Sequence, residues 1–295
     1  MTTLANQQSI VVGIDGSTTA LAAARWAGAL AARQHVPLVV LGVVPLVDYR
    51  ITASAWAELD ILPSMRAAAE RNVAAAAAAV RQDQPELEIR PLVVDGDAAH
   101  ALVQASAAAR LLVVAATPGN RLTTLLLGST ALRVANKATC PVAVWRGDIE
   151  HPLPDRRPVL VGVDGSPDAE DALAHAFETA SLLEVDIVAL HAWEDPDLLR
   201  WTVLPESWPD LAAQENELLA ERLAGWREKY PDVTVTRVTE RAPAASSLLT
   251  NAADAQLVFT GSHGHNRVAG LLVGSTSQNL LHHAPCPIIV CRQPA

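Results

Sequence analysis

Two glycines three positions apart, a nine-residue spacer, then a glycine followed by two hydroxyl residues make a pattern that can hold phosphate. The chain carries it in full once: Gly261-Ser262-His263-Gly264, then 265–273, then Gly274-Ser275-Thr276. The first two glycines permit φ > 0 and a close backbone approach, as a phosphate-cradling turn requires. A helix opening on Gly274-Ser275-Thr276 would aim unsatisfied N–H groups and a positive dipole end at an anion, with hydroxyls to cap or contact it. Upstream, Asp164-Gly165-Ser166 closes an apolar run and adds a carboxylate. No lysine stands where a Walker A loop puts one, and no G-x-G-x-x-G follows the first strand, which speaks against the P-loop and dinucleotide solutions.

The elements that must position these residues alternate. Residues 9–14 read as a strand ending in Asp15-Gly16-Ser17, and 20–33 as an alanine-rich helix. Residues 36–44 are too continuously apolar for a strand with one wet face. An irregular segment fills 45–63. A long helix over 64–82, a strand over 88–94, a helix over 98–109, a strand over 111–115, a helix over 130–136 and a strand over 141–145 complete the half. The order then recurs from residue 159: strands over 159–163, 186–193, 234–239, 256–261 and 287–290, with a long helix over 214–230. A repeat of this size predicts a duplicated domain. The expected division is domain 1 over 1–147, a charged, proline-rich linker over 148–155 and domain 2 over 156–295.

Strand alternating with helix predicts an α/β fold: two tandem doubly wound, Rossmann-like domains, each a mainly parallel five-stranded sheet flanked by helices. In such sheets ligands bind at the carboxyl ends of the strands, where the winding reverses. In each half the strand-one aspartate and the strand-four loop both fall there, so they can converge on one ligand.

These residues resemble a tandem-domain universal stress protein of the ATP-binding type, and the resemblance spans essentially the whole chain. The family's nucleotide signature, G-x-x-G, nine residues, G-[ST], is met at every fixed position by Gly261, Gly264, Gly274 and Ser275. The resemblance implies an adenine nucleotide, ATP with magnesium as an optional companion. Asp164 and Ala192 would hold the adenosine, and Gly261, His263, Gly264, Gly274, Ser275 and Thr276 would surround ribose and phosphates. It also implies that the last strands of the two halves associate within the chain, with a homodimer as a further option. The implied role is stress-response signalling or growth regulation through nucleotide occupancy. The alternatives are a slow ATP hydrolase or nucleotidyl-transfer enzyme of the same architecture, and a scaffold whose nucleotide site has decayed.

In the first half the aligned positions are Ala115-Ala116-Thr117-Pro118, then 119–127, then Gly128-Ser129. Asp15, Gly128 and Ser129 remain, so these three are the weaker site candidates. Alanine at 115 would be strained by about 1 kcal/mol or more if that position needs a left-handed backbone, and Pro118 has no N–H to donate. The expectation is that domain 2 binds nucleotide and domain 1 binds it weakly or not at all. Asp-Gly after a strand is also ordinary turn chemistry, which leaves a structural role open for Asp15 and Asp164.

Composition bounds the rest. With 295 residues, half of them hydrophobic, and a formal net charge of −10, the chain predicts an acidic protein without the basic surface that nucleic acids require. The first eight residues lack the basic and apolar regions of a signal peptide, later apolar runs fall short of a bilayer span, and three cysteines make no disulfide framework. A cytoplasmic location is expected. No metal site is expected: Cys286 and Cys291 are an odd number of residues apart and face opposite ways on a strand, and His263, His265, His282 and His283 read as exposed or capping. Trp193, Trp201 and Trp208 are expected to pack under an irregular segment over 194–210 or to cover a ligand. No nucleophile–base pair or magnesium-type aspartate cluster stands out, so no catalytic residue is assigned and any ATP hydrolysis is expected to be slow and incidental.

Overall fold

Near-continuous apolar runs become parallel strands when helices cover both faces of the sheet and leave no solvent side for polar residues. The computed structural model of the chain describes residues 9–45, 61–118, 125–193, 208–264 and 273–292. The expected segments over 45–63 and 194–210 lie largely outside these residues, as does most of the nine-residue spacer before Gly274. The chain divides into two compact units, residues 1–154 and 155–295.

The first unit runs β1 (Ser9–Ile14), α1 (Thr18–Arg33), β2 (Leu38–Val44), α2 (Ile61–Asp83), β3 (Ile89–Asp95), α3 (Ala98–Ser106), β4 (Ala109–Ala115), the two-residue strands β5 (Thr117–Pro118) and β6 (Leu125–Leu126), α4 (Ser129–Lys137) and β7 (Val142–Trp145). Its sheet has the order β3-β2-β1-β4-β7, every pair parallel. Ala23, Ala24 and Ala27 of α1 are fully buried, so helix and sheet pack through small side chains. The short antiparallel β5–β6 ladder is an addition that strand propensity did not foreshadow. The helix expected over 98–109 stops at Ser106, and β4 begins at Ala109 instead of 111.

The second unit repeats the plan: β8 (Val159–Gly162), α5 (Pro167–Leu183), β9 (Ile187–Trp193), α6 (Trp208–Lys229), β10 (Val235–Arg241), α7 (Ala244–Asn251), β11 (Leu257–Gly261), α8 (Ser275–His283) and β12 (Ile288–Cys291). Its order, β10-β9-β8-β11-β12, is again parallel throughout. Each domain is therefore a doubly wound α/β sheet. The winding reverses between β8 and β11 in the second domain and between β1 and β4 in the first. Phe177 of α5 is fully buried and stacks on Trp226 of α6 and on Tyr230 just past its end, each at 5.8 Å between ring centroids, which clamps the two helices on one face. Trp226 is thus a packing residue; Trp201 and the side chain of Trp208 lie outside the described residues. Among the described residues no helix is long and apolar enough to cross a membrane.

Candidate functional site

Strand β8 delivers Asp164 to the reversal point, and the turn after it is set by local chemistry. The Asp164 carboxylate accepts the Ser166 N–H at 2.9 Å, and Gly165 takes a left-handed φ of +79° that a side chain would oppose. Ser166 then caps α5: its Oγ accepts the Ala169 N–H at 3.2 Å and donates to the His263 carbonyl at 3.2 Å. The cap of one helix thereby holds the loop of another strand.

That loop is fastened a second time. Asp168, in the first turn of α5 and only 4% exposed, accepts the Ser262 hydroxyl at 2.6 Å and the His263 N–H at 3.1 Å on the same Oδ2. The hydroxyl proton is committed to Asp168, so His263 Nδ1, 2.9 Å from Ser262 Oγ, is the donor of that pair, which fixes the tautomer. Serine, histidine and aspartate meet here without forming a hydrolytic triad. The carboxylate engages the serine directly, and Ser262 is completely buried, so its oxygen cannot attack a substrate. The arrangement is a latch.

The glycines of the loop have a different role from the one their pattern suggests. Neither Gly261 nor Gly264 has a positive φ; the left-handed glycines of the two strand-one turns are Gly16 and Gly165. What 261 and 264 require is room. A Cβ on Gly261 would lie 2.9 Å from the backbone carbon of Asp168, and one on Gly264 would lie 2.7 Å from Asp164 Oδ2. The expectation of left-handed strain at Ala115 falls with this, because Ala115 ends strand β4 in ordinary backbone.

Helix α8 opens on Gly274, an N-cap with extended backbone (φ −66°, ψ 160°) and no side chain to bond the first turn. Its own N–H reaches back to Ser262 O at 2.7 Å, and Ser277 Oγ donates to Gly261 O at 2.6 Å, so loop and helix start are tied together. The N–H groups of the first turn have no partner within the helix and carry its positive dipole end.

Asp164, the strand-four loop and the start of α8 face one cavity of about 330 Å³. Asp164, Ala192, Gly261, His263, Gly264, Gly274, Ser275 and Thr276, the eight positions singled out in the second half, line it together. Leu190 and Leu248 add an apolar wall, and Asp164 is the one carboxylate among the described lining residues. The cavity therefore combines an apolar wall, a carboxylate and a helix N-terminus suited to negative charge. The sequence pattern missed Asp168, Ser277 and Leu248. The clue to Asp168 was its company: the half with the serine of the loop has aspartate there, and the other half has Thr19 and Ala116 at the matching places.

In the first domain Asp15, Ala115, Gly128 and Ser129 border a cavity of about 250 Å³. Its strand-one turn repeats the bonding, with Ser17 N–H on Asp15 Oδ1 at 2.9 Å and Ala20 N–H on Ser17 Oγ at 3.1 Å. Thr19 and Ala116 supply no carboxylate–hydroxyl latch. Gly128 caps α4 as bare of a side chain as Gly274 caps α8.

Comparison with known proteins agrees with this duplicated plan. The Universal stress protein family profile matches residues 7–146 and again 155–292. A universal stress protein of Mycobacterium tuberculosis is 40% identical over 296 residues, covering 97% of this chain and 98% of its own length. One of Mycolicibacterium smegmatis is 37% identical over 295 residues, covering 98% of each. Among solved structures, a universal stress protein from Archaeoglobus fulgidus superposes with a TM-score of 0.72 at 19% identity, covering 97% of this chain and 98% of that one.

Proposed function

Because the chain belongs to the universal stress protein family, we propose that its second domain binds an adenine nucleotide, ATP, and that occupancy of this site is the signal by which the protein acts in a cytoplasmic stress response. The observation that carries the reading is the convergence on one cavity of a carboxylate, an apolar wall and the bare N-terminus of α8. A volume of about 330 Å³ falls in the range of small-molecule sites, about 300–1,000 Å³. Asp164 and the backbone at Ala192 would take the nucleoside. The loop 261–264 and the first turn of α8, through Gly274, Ser275 and Thr276, would take the phosphates on backbone N–H groups.

The latch between Asp168, Ser262 and His263 supports binding over turnover, since it immobilises the very side chains that could do chemistry. The first domain is the weaker or silent partner in this reading, because its strand-four loop has Ala115 and Pro118 in place of glycines and lacks the latch. Association of the last strands of the two halves, and of two copies of the chain, belongs to the same reading; the solution mass of the protein tests the second.

Calorimetric titration of the full chain with ATP is expected to give one strong site, weakened at least tenfold by Asp164→Ala and unchanged by Asp15→Ala. Binding lost on Asp15→Ala and kept on Asp164→Ala would overturn the assignment, as would two sites of equal affinity. Mass spectrometry of small molecules released on denaturation tests the identity of the ligand.

A further inference from the structure

Helix α5 carries Asp171 and His175 one turn apart on the face that packs against the end of β12, where Cys291 is completely buried. Their ligand atoms, a carboxylate oxygen, an imidazole nitrogen and the thiol sulfur, all lie within 4.8 Å of one another. Among the described residues this is the single place where three side chains of metal-binding type converge. We propose that Asp171, His175 and Cys291 form a binding site for a divalent transition metal of the zinc type, separate from the nucleotide cavity and independent of the nucleotide reading.

The donor set is chemically coherent. Thiolate, imidazole and carboxylate are the three ligand types that zinc accepts, and three protein ligands leave a fourth position for water. At bond lengths of about 2.0–2.3 Å, tetrahedral ligand atoms sit about 3.3–3.8 Å apart. Asp171 Oδ2 and His175 Nε2 are already 3.8 Å apart, too long for a hydrogen bond and right for two ligands of one ion. Closure on the cysteine side needs a movement of about 1 Å, within reach of side-chain rotation. The backbone N–H of Arg292 bonds the Asp171 carboxylate, the kind of outer contact that orients a ligating group.

A second observation points to a missing cation. Asp171 Oδ2 is buried and accepts no hydrogen bond from any described residue. A cation there would satisfy Oδ2, which His175 approaches at 3.8 Å without hydrogen-bonding it; on binding, the thiol gives its proton to solvent and the sulfur takes the metal. His175 and Asp171 keep 30% and 23% of their side chains exposed, which leaves a way in. In the first domain the matching positions are Ala22, Trp26 and Trp145, which cannot ligate, so the set belongs to one half.

The test uses the full chain stripped with a chelator and titrated with Co²⁺ alone. The expected result is one equivalent bound, with intense tetrahedral d–d bands and a sulfur-to-cobalt charge-transfer band, both displaced by Zn²⁺. Cys291→Ser should abolish the charge-transfer band, and His175→Gln should weaken binding about tenfold or more. Cys140→Ser, Cys286→Ser and His282→Ala should change neither. His175 is partly exposed, so its variant reports on ligation even if Cys291→Ser fails to fold. A weak octahedral spectrum, no stoichiometric binding, or an unchanged cobalt affinity in His175→Gln would overturn the proposal.

Discussion

Ser262 donates its hydroxyl to Asp168 across 94 positions of sequence, Oγ to Oδ2 at 2.6 Å, with both residues buried. The carboxylate stands in the first turn of α5, where the helix dipole favours negative charge, and also receives the His263 N–H. Removing it takes away the acceptor of the buried Ser262 hydroxyl and of the part-buried His263 N–H. Asp168→Ala is expected to cost about 1–3 kcal/mol in urea unfolding and to weaken ATP binding, because the loop 261–264 loses its anchor. Asp168→Asn, which keeps the shape and one acceptor, should fall between wild type and alanine.

The two loop glycines predict opposite phenotypes. At Gly264, an exposed position, an added methyl meets the Asp164 carboxylate at 2.7 Å and pushes it from the cavity. Gly264→Ala should change stability by no more than about 0.5 kcal/mol and lower ATP affinity about tenfold or more. At Gly261 the obstacle is the backbone of α5, which cannot swing aside. Gly261→Ala should therefore lose about 1–3 kcal/mol of stability, read from the urea midpoint. Equal behaviour of the two variants would contradict the roles assigned to them.

Ser166 serves the start of α5 and the loop at once. Ser166→Ala removes the cap on Ala169 N–H and the bond to His263 O, for an expected loss of about 1–2 kcal/mol. Ser166→Thr retains the hydroxyl and should recover most of it. Amide hydrogen exchange at His263 checks whether the loop loosens together with the helix start.

A pH prediction rests on Asp97, which caps α3 through the His100 N–H at 2.8 Å and meets Arg133 at 3.1 Å. The backbone hydrogen bond from His100 first, and then the Arg133 hydrogen bond, hold its carboxyl below the ordinary value. A carboxylate depressed in the folded state stabilises above its unfolded value, about 3.9, and the contribution is lost as pH falls through the folded value. The urea midpoint of wild type should exceed that of Asp97→Asn at neutral pH, and the gap should close on acidification below about pH 4. A gap constant down to pH 2 would mean that charge plays no part in the cap.

Residues whose role is local or periodic were readable in the linear chain. The β-branched runs from Ser9 and Val159, the alanine-rich helices and the half-chain repeat fix the doubly wound plan, because burial on both faces leaves its mark on every residue of a strand. The spacing from Gly261 to Ser275 located the cavity. What escaped depends on which side chain reaches across space. Nothing at Asp168 says that its carboxylate will find Ser262, and the Asp171–His175 spacing looks like any exposed helical pair until Cys291 is seen behind it. Of the two properties read into the glycines, a left-handed turn and close approach, only the second is used, and spacing cannot separate the two. The Asp-Gly-Ser turns took the first need, and the strand-four loop took the second.

Gly274 makes α8 a helix without a lid of its own. An ordinary N-cap brings a permanent side-chain acceptor to the first turn, whereas here that place is left to whatever occupies the cavity. On the proposed reading a bound anion would act as a removable cap, and the order of the turn at Ser275 and Thr276 would follow occupancy. Signalling by this route would need no hinge: the order of one helical turn beside the cavity would be what a partner distinguishes.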